Sequence, residues 1–253
     1  MPEIEKVIDL AAKFRPSERN LTLYFADFIT PPGPDCLHRV FGAPVGMTAD
    51  DWPTYLQLGE LLQAADCLDQ WDPCDARMEH VCTVDLRGLD LVGVPTGACA
   101  MMLFLSNATY HRADRIDNLD TTVVFLGEEE LARGLYRGPL PRRSQHRWSR
   151  RFSLVPVDVP GDVFDHAQPE GGDPLLRPLF DAIHEAPARL GGRPIGAPNL
   201  SLASVVRHPP QRQLGLTARP SFLMQFRRRF ADINLGHGGT MVVHGRGAWL
   251  QPA

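Results

Sequence analysis

The stretch Gly42-Ala43-Pro44-Val45-Gly46 returns 150 residues later as Gly192-Arg193-Pro194-Ile195-Gly196. Each copy leads into an apolar run, Val81-Cys82-Thr83-Val84 in the first half and Leu223-Met224-Gln225-Phe226 in the second. In both halves a glycine follows 16 residues after the start of that run and opens another strand-like segment. Self-similarity at a fixed spacing is the signature of a repeated structural unit. The sequence therefore predicts two similar packed halves with a cleft between them.

The segments around the repeat predict an α+β fold, in which an internally duplicated unit forms largely antiparallel sheets with flanking helices. Ile4, Val7, Ile8 and Ala11 recur at helical spacing, whereas Thr121–Leu126 is apolar and rich in β-branched residues. Several strands lie close together without a regular alternation with helices, which favours antiparallel pairing. Predicted helices cover 4–14, 55–68, 128–135 and 174–185, and predicted strands cover 21–29, 81–86, 98–105, 121–126, 222–226, 240–244 and 248–251.

Composition divides the chain into three predicted segments. Residues 1–137 form the first repeat half with an N-terminal helix, residues 138–174 form a connector, and residues 175–253 form the second repeat half. The connector is rich in proline, glycine and charge, which is typical of a linking segment, although 151–157 has the pattern of one further strand. We expect the halves to form one compact globular unit.

The overall composition is that of a folded protein, with 253 residues, 43% of them hydrophobic and 22% charged. No segment approaches the roughly 18 consecutive apolar residues of a spanning helix, so we expect no membrane partner. The first 14 residues carry Glu3, Glu5, Lys6 and Asp9 and lack the apolar core of a signal peptide. Five irregularly spaced cysteines fit reduced thiols better than a disulfide framework. We therefore expect a cytoplasmic protein.

Charge is distributed unevenly along the chain. Residues 27–90 contain 12 acidic side chains and three arginines, whereas residues 131–153 contain seven arginines and no acid. Lysine is nearly absent, so the basic surface consists of arginine, which favours bidentate contacts with carboxylate or phosphate. Two interpretations remain open: the acidic and basic segments contact each other, or one of them faces a partner of complementary charge.

Signatures of catalysis, metal binding and cofactor binding are missing from the sequence. It has no C-x-x-C, H-E-x-x-H or H-x-H motif, so a zinc site would have to be assembled from scattered ligands. Ser106 follows a predicted strand without a G-x-S-x-G elbow, and the glycine-rich stretch 235–239 lacks the lysine and hydroxyl residue of a phosphate-binding loop. We expect no catalytic residue, no metal ion and no cofactor.

Two segments interleave arginine with aromatic residues, 142–151 and 226–230. Nucleic-acid-binding proteins use this composition, but the acidic overall balance and the lack of a known binding module argue against such a partner. Docking on an acidic protein surface, or on the acidic half of the same chain, is favoured instead.

Between about Val40 and His244 the chain resembles the bacterial YwqG-like family, a family of unknown function. The matching motifs are Leu-Gly-Gly-Arg-Pro at 190–194, Phe-Leu-Met-Gln-Phe at 222–226 and the turn at 232–239, with first-half counterparts at 41–44, 52–53, 84–86 and 95–97. The chain departs from the family at 235–239, where Trp-Gly-Asp-x-Gly is usual, and at Arg227, where an acid or amide is usual. The family offers no established catalytic residues to carry over.

The resemblance implies a function, because members of the family look like frequent neighbours of secreted bacterial toxins. On this basis we expect a cytoplasmic immunity protein, not an enzyme, that binds a basic cognate toxin domain and sterically blocks it. The acidic segment would provide the binding surface by charge complementarity. Its expected contact residues are the aspartates Asp50, Asp51, Asp66, Asp69, Asp72 and Asp75.

A second hypothesis is a small-molecule-binding protein, or an enzyme, that uses the cleft between the two repeats. Polar side chains near the glycine turns would contact the ligand there. The candidates are Asp85, Gln225, Asp232, Asn234 and His237. A structural or regulatory interaction module is a third hypothesis, and the sequence does not separate it from the first.

Overall fold

A computed structural model describes most of the chain. The described residues are 2–15, 20–30, 32–54, 77–105, 121–141, 148–166, 174–193, 195, 222–231, 239–244 and 247–251. The predicted helix at 55–68 lies outside them.

Eleven strands and five helices are assigned within these residues. The helices are α1 (Pro2–Ala11), α2 (Glu128–Leu131), α3 (Val163–His166), α4 (Arg177–Glu185) and α5 (Arg228–Ala231). The strands are β1 (Asn20–Asp27), β2 (Arg39–Val40), β3 (Glu79–Asp85), β4 (Ala100–Leu105), β5 (Thr121–Leu126), β6 (Arg150–Arg151), β7 (Ser153–Pro160), β8 (Ala188–Leu190), β9 (Phe222–Arg227), β10 (Thr240–His244) and β11 (Gly247–Gln251).

The strands form two antiparallel sheets, which confirms the predicted α+β class. One sheet has six strands in the order β11-β10-β9-β8-β1-β7, and the other has five in the order β5-β4-β3-β2-β6. In each sheet a short strand, β2 or β8, begins a run of four strands that pair in chain order. This arrangement parallels the sequence repeat, while the duplication itself stays a prediction.

The stretch 150–160 contributes a strand to each of the two sheets. β6 pairs with β2 in the five-stranded sheet, and after Phe152 the chain continues as β7, which pairs with β1 along its whole length. The one strand predicted at 151–157 is therefore divided between β6 and β7, and β7 ends three residues later than predicted, at Pro160. The sheets also do not follow the predicted segments, because the six-stranded sheet contains β1 from 1–137 and β7 from 138–174.

An apolar core fills the space between the sheets. Side chains alternate between the two faces of a strand, so Tyr24 and Ala26 point into this core while Leu23 and Phe25 point away from it. Strand β4 of the five-stranded sheet and strands β9 and β10 of the six-stranded sheet contribute further residues, all fully buried: Met101, Leu103, Phe226, Met241 and Val243. The predicted polar cleft between the halves is thus not present where the described parts of the sheets pack together.

Each sheet buries its outer face under a separate cluster. Helices α1 and α4 cover Leu23 and Phe25 of the six-stranded sheet through Val7 and Leu179. On the five-stranded sheet, Trp52 and other residues cover the outer face of β4 and β5. Polar side chains of both sheets also point outward, so candidate functional residues lie on these outer faces and not between the sheets.

The glycines of the repeated turns are required by the backbone. Gly46 has φ +74°, and a Cβ there would lie 2.7 Å from the carbonyl oxygen of Glu130. Gly192 has φ +77°, and a Cβ there would lie 2.8 Å from the ring of Phe164. Positive φ and close approach both select glycine, so these residues shape turns at the sheet edges.

Candidate functional site

The described part of the predicted acidic surface is the turn that carries Asp50 and Asp51. Both residues are exposed. The carboxylate of Asp51 accepts hydrogen bonds from the Thr48 hydroxyl at 2.6 Å and from Nη1 of Arg133 at 2.9 Å. Arg133 belongs to the basic segment, so the acidic and basic segments contact each other at this point. The other expected contact residues, Asp66, Asp69, Asp72 and Asp75, lie outside the described residues.

This acidic turn is anchored by the aromatic residue that follows it. Trp52 is buried, and its Nε1 donates to the carbonyl oxygen of Met78 at 2.8 Å. Its ring contacts the ring of Tyr136 edge-on, with 4.8 Å between centroids. Arg77 lies over the Trp52 ring and donates to the Tyr136 hydroxyl at 2.9 Å. The exposed aspartates therefore stand on a fixed base.

The two described cleft candidates, Asp85 and Gln225, lie on opposite outer sides of the molecule. Val84 and Leu86 belong to the core between the sheets, so Asp85 points to the outer face of the five-stranded sheet. Gln225 lies between core residues of β9 and points to the outer face of the six-stranded sheet. The structure does not bring these two side chains together. Asp232, Asn234 and His237 lie outside the described residues.

Gln225 is bound into a structural network around Arg189. The Arg189 guanidinium donates to the carbonyl oxygen of Gly191 at 2.7 Å, to Oε1 of Gln225 at 2.8 Å and to the carbonyl oxygen of Arg193. Gln225 also accepts from the amide of Ile195 and donates to its carbonyl oxygen. Complete burial lowers the pKa of Arg189 to about 9. These bonds hold the second glycine turn against the sheet.

Arg39 occupies the matching place in the five-stranded sheet, and there the surroundings are open. It lies on β2 opposite Thr83 of β3 and opposite Arg151 of β6. A cavity of about 540 Å³ adjoins it on the outer face, between the loop at 34–37 and helix α2. The charged lining residues are Asp35, Arg39, Arg87, Glu128 and Arg151.

Two of the three cavity arginines are engaged by the protein itself. Arg87 forms a bidentate pair with Asp85, at 2.8 Å from Nε and 2.7 Å from Nη2. Burial alone raises the pKa of Asp85, but the hydrogen bonds and charge of Arg87 outweigh it and hold the pKa below its usual value. Arg151 donates from Nη2 to the carbonyl oxygens of Gly33, Pro34 and Cys36, at 2.7 to 3.1 Å.

The third cavity arginine is different. Nε of Arg39 is buried and has no hydrogen-bond acceptor among the described residues. Burial, together with the neighbouring charge of Arg151, lowers the pKa of Arg39. Sequence reasoning missed this site, although a signal was present: Arg39 and Arg189 each stand three residues before the first glycine of the repeated turn.

Two histidines beside this region are held in the neutral form. Nδ1 of His80 donates to the carbonyl oxygen of Gly42 at 3.1 Å, so its Nε2 accepts from the Thr83 hydroxyl at 2.8 Å. Nδ1 of His38 accepts from the backbone amide of Asp85 at 3.0 Å. Burial lowers the pKa of each histidine to about 4. Both are structural residues at neutral pH.

Among the described residues, no group of three or more His, Cys, Asp or Glu side chains is placed to hold a metal ion. None of the helices assigned there has the length and apolar character needed to cross a membrane.

A scan against protein-family models and a search of curated proteins each found no match. The resemblance to the YwqG-like family therefore stays a prediction.

Proposed function

We propose that this chain is a cytoplasmic bacterial immunity protein that binds a basic toxin domain and blocks its active site sterically. The observation that carries the proposal is the acidic turn at Asp50 and Asp51, which projects exposed carboxylates from a base fixed by buried Trp52. The resemblance to the YwqG-like family supplies the toxin as the class of partner.

A fixed acidic turn suits this role for two reasons. Surface charge of one sign speeds the encounter with a partner of opposite charge. A turn that is already ordered loses little conformational entropy when the partner binds. The surrounding segment, 27–90, has a negative balance of charge, because its sequence contains 12 acids and three arginines.

The test is co-expression with the secreted toxin domain encoded beside this chain, followed by measurement of binding rates. A double variant, Asp50→Asn with Asp51→Asn, is compared with Glu5→Gln and Asp9→Asn on α1, which removes the same charge from an exposed helix on the other side of the molecule. We expect the first pair to slow association by about tenfold and to weaken its salt dependence, and the second pair to change it little. Failure of the wild-type chain to rescue growth and to co-purify with the toxin would refute the proposal.

The alternative hypothesis, binding or conversion of a small molecule, is supported at another place. The space between the sheets is apolar in the described residues, but the cavity beside Arg39 has the volume of a ligand site and charged groups that could orient a ligand.

A further inference from the structure

We propose that the cavity lined by Arg39, Arg87 and Arg151 binds a small molecule bearing a carboxylate, which the guanidinium of Arg39 holds. The site lies on the outer face of the five-stranded sheet and does not depend on toxin binding. Its ligand would carry one carboxylate and at least one hydroxyl or ammonium group.

The contrast between Arg39 and Arg189 is the first argument. Both lie on the short strand that begins a four-strand run, and both point to the outer face of their sheet. In the six-stranded sheet the turn that follows bends back and supplies acceptors to Arg189. In the five-stranded sheet the corresponding turn bonds to His80 through Gly42, and Nε of Arg39 is left without an acceptor among the described residues.

The second argument is the charge arrangement along β2 and β6. Arg39 and Arg151 are direct partners in the antiparallel register. Like charges directly opposite each other destabilise a sheet. A buried N–H without an acceptor adds to this cost, and such a group in a native protein calls for an explanation such as an ordered water, an ion or a functional role. An anion between the two guanidinium groups would relieve the repulsion between them.

The composition of the lining indicates what kind of anion fits. Asp85 neutralises Arg87, and the carboxylates of Asp35 and Glu128 also line the cavity. The site therefore offers little net positive charge, which disfavours phosphate dianions and polyphosphates. A planar carboxylate matches the guanidinium fork of Arg39. The two acidic side chains are placed to accept hydrogen bonds from donor groups of the same ligand.

The walls of the cavity are in place before any ligand arrives. Arg151 ties the loop at 33–36 to β6 through three carbonyl groups. Arg87 is fixed by Asp85 on the neighbouring strand. Because these arginines are already held, binding needs to order little beyond Arg39, which favours affinity for a small ligand.

The test uses the full chain and a defined set of probes at constant ionic strength. Acetate, glycolate, glycine and L-glutamate are compared with inorganic phosphate and sodium chloride by thermal shift and isothermal titration calorimetry. We expect at least one hydroxyl- or ammonium-bearing carboxylate to raise the Tm and to give a saturable heat, and phosphate to give neither. The proposal is wrong if no carboxylate exceeds sodium chloride, or if phosphate binds better than the carboxylates.

Variants of Arg39 separate a ligand site from a structural role. Arg39→Gln and Arg39→Lys are both expected to weaken carboxylate binding by about tenfold or more, because neither retains the guanidinium fork. Arg137→Gln, at an exposed arginine, is the matched control and should leave binding unchanged.

A third variant keeps the proposal testable if the others fold poorly. In ligand-free buffer, Arg39→Met should have a Tm equal to or above that of the wild-type chain, because it removes an unsatisfied buried group. A lower Tm would show that Arg39 is structural and would overturn the proposal. The chain should still co-purify with the toxin after each of the three Arg39 substitutions. The result for the carboxylate site is therefore independent of the result for the proposed immunity function.

Discussion

The buried side chain of Gln225 is satisfied by groups that are distant from it in the sequence. Its amide accepts from Arg189 and from the Ile195 backbone and donates to the Ile195 carbonyl. The sequence pattern predicts a ligand contact for Gln225. An amide beside a glycine turn is, however, equally suited to bind a ligand or to hydrogen-bond within the protein. Only the register of β8 and β9 shows that Arg189 lies beside it.

We expect Gln225→Leu to destabilise the fold by about 3 kcal/mol, because it leaves Arg189 and the Ile195 backbone with unsatisfied buried groups. Urea unfolding measures the change. Thr22→Val is the control, since it removes an exposed hydrogen bond to Asp158 and should cost less than about 1 kcal/mol. Equal costs for the two variants would contradict the structural role of Gln225.

The neutral histidines predict a loss of stability in mild acid. The pKa of His38 and of His80 is about 4 in the folded chain, below the ordinary value of 6.5. Above pH 6.5 both histidines are neutral in the folded and in the unfolded chain, and the free energy of unfolding does not depend on them through protonation. Between pH 6.5 and 4 the unfolded chain binds protons that the folded chain excludes, so the free energy of unfolding falls by up to about 1.4 kcal/mol per pH unit for each histidine.

Urea unfolding at several pH values checks this, with His80→Gln as the comparison. Removing one titrating group should flatten the dependence between pH 6.5 and 4. An unchanged slope would show that His80 does not carry the effect.

Among the elements, strands were predicted better than connections. The apolar, β-branched pattern of 121–126 matches β5 residue for residue, because both faces of β5 are covered. The predicted helix at 128–135 is shorter, ending at Leu131 in α2. The sequence predicts only part of β7, because Pro156 and Pro160 lie within it and proline disfavours a strand. Proline is tolerated there because β7 is the last of the described strands in its sheet and pairs, within the described residues, on one edge only.

The repeated turn gives a prediction at this scale. Gly46→Ala should cost about 3 kcal/mol, since it combines backbone strain with a clash against Glu130 and Leu126. Gly134→Ala is a matched control, because Gly134 has the same φ of +74° and has open space around its Cα. We expect it to cost about 1 kcal/mol. Thermal and urea unfolding of both variants isolate the steric part, and equal losses would argue against the close approach.

At the scale of the whole molecule, the cavity beside Arg39 is formed by residues from distant parts of the chain. Arg39, Arg87 and Arg151 meet because β2 pairs with both β3 and β6. No local pattern around any one of them predicts that meeting. The acidic segment, by contrast, could be recognised from sequence alone because its charge is local. Asp50 and Asp51 in this segment are exposed, whereas Asp27, Glu79 and Asp85 are buried.

The contact between the acidic and basic segments predicts that removing Arg133 has the opposite effect on the association rate from removing Asp50 and Asp51. Arg133→Gln should free Asp51 and speed association with a basic toxin domain, while changing stability by less than about 1 kcal/mol, as for other exposed ion pairs. Arg137→Gln removes the same charge without touching Asp51 and is the control. Association rates measured by surface plasmon resonance should rise more for Arg133→Gln, and a slower rate would count against the acidic turn as the docking surface.

The pairing of β1 with β7 and β8 also sets an order of events during synthesis. β1 leaves the ribosome well before both of its neighbours, which follow more than a hundred residues later. At about 5–20 residues per second, β1 waits roughly 6 to 25 seconds with both edges open. Ribosome-bound chains stopped before residue 148 should be cut by protease within β1, whereas completed chains should resist. During this time the unpaired edges of β1 can pair with another chain, so the nascent chain needs protection from aggregation.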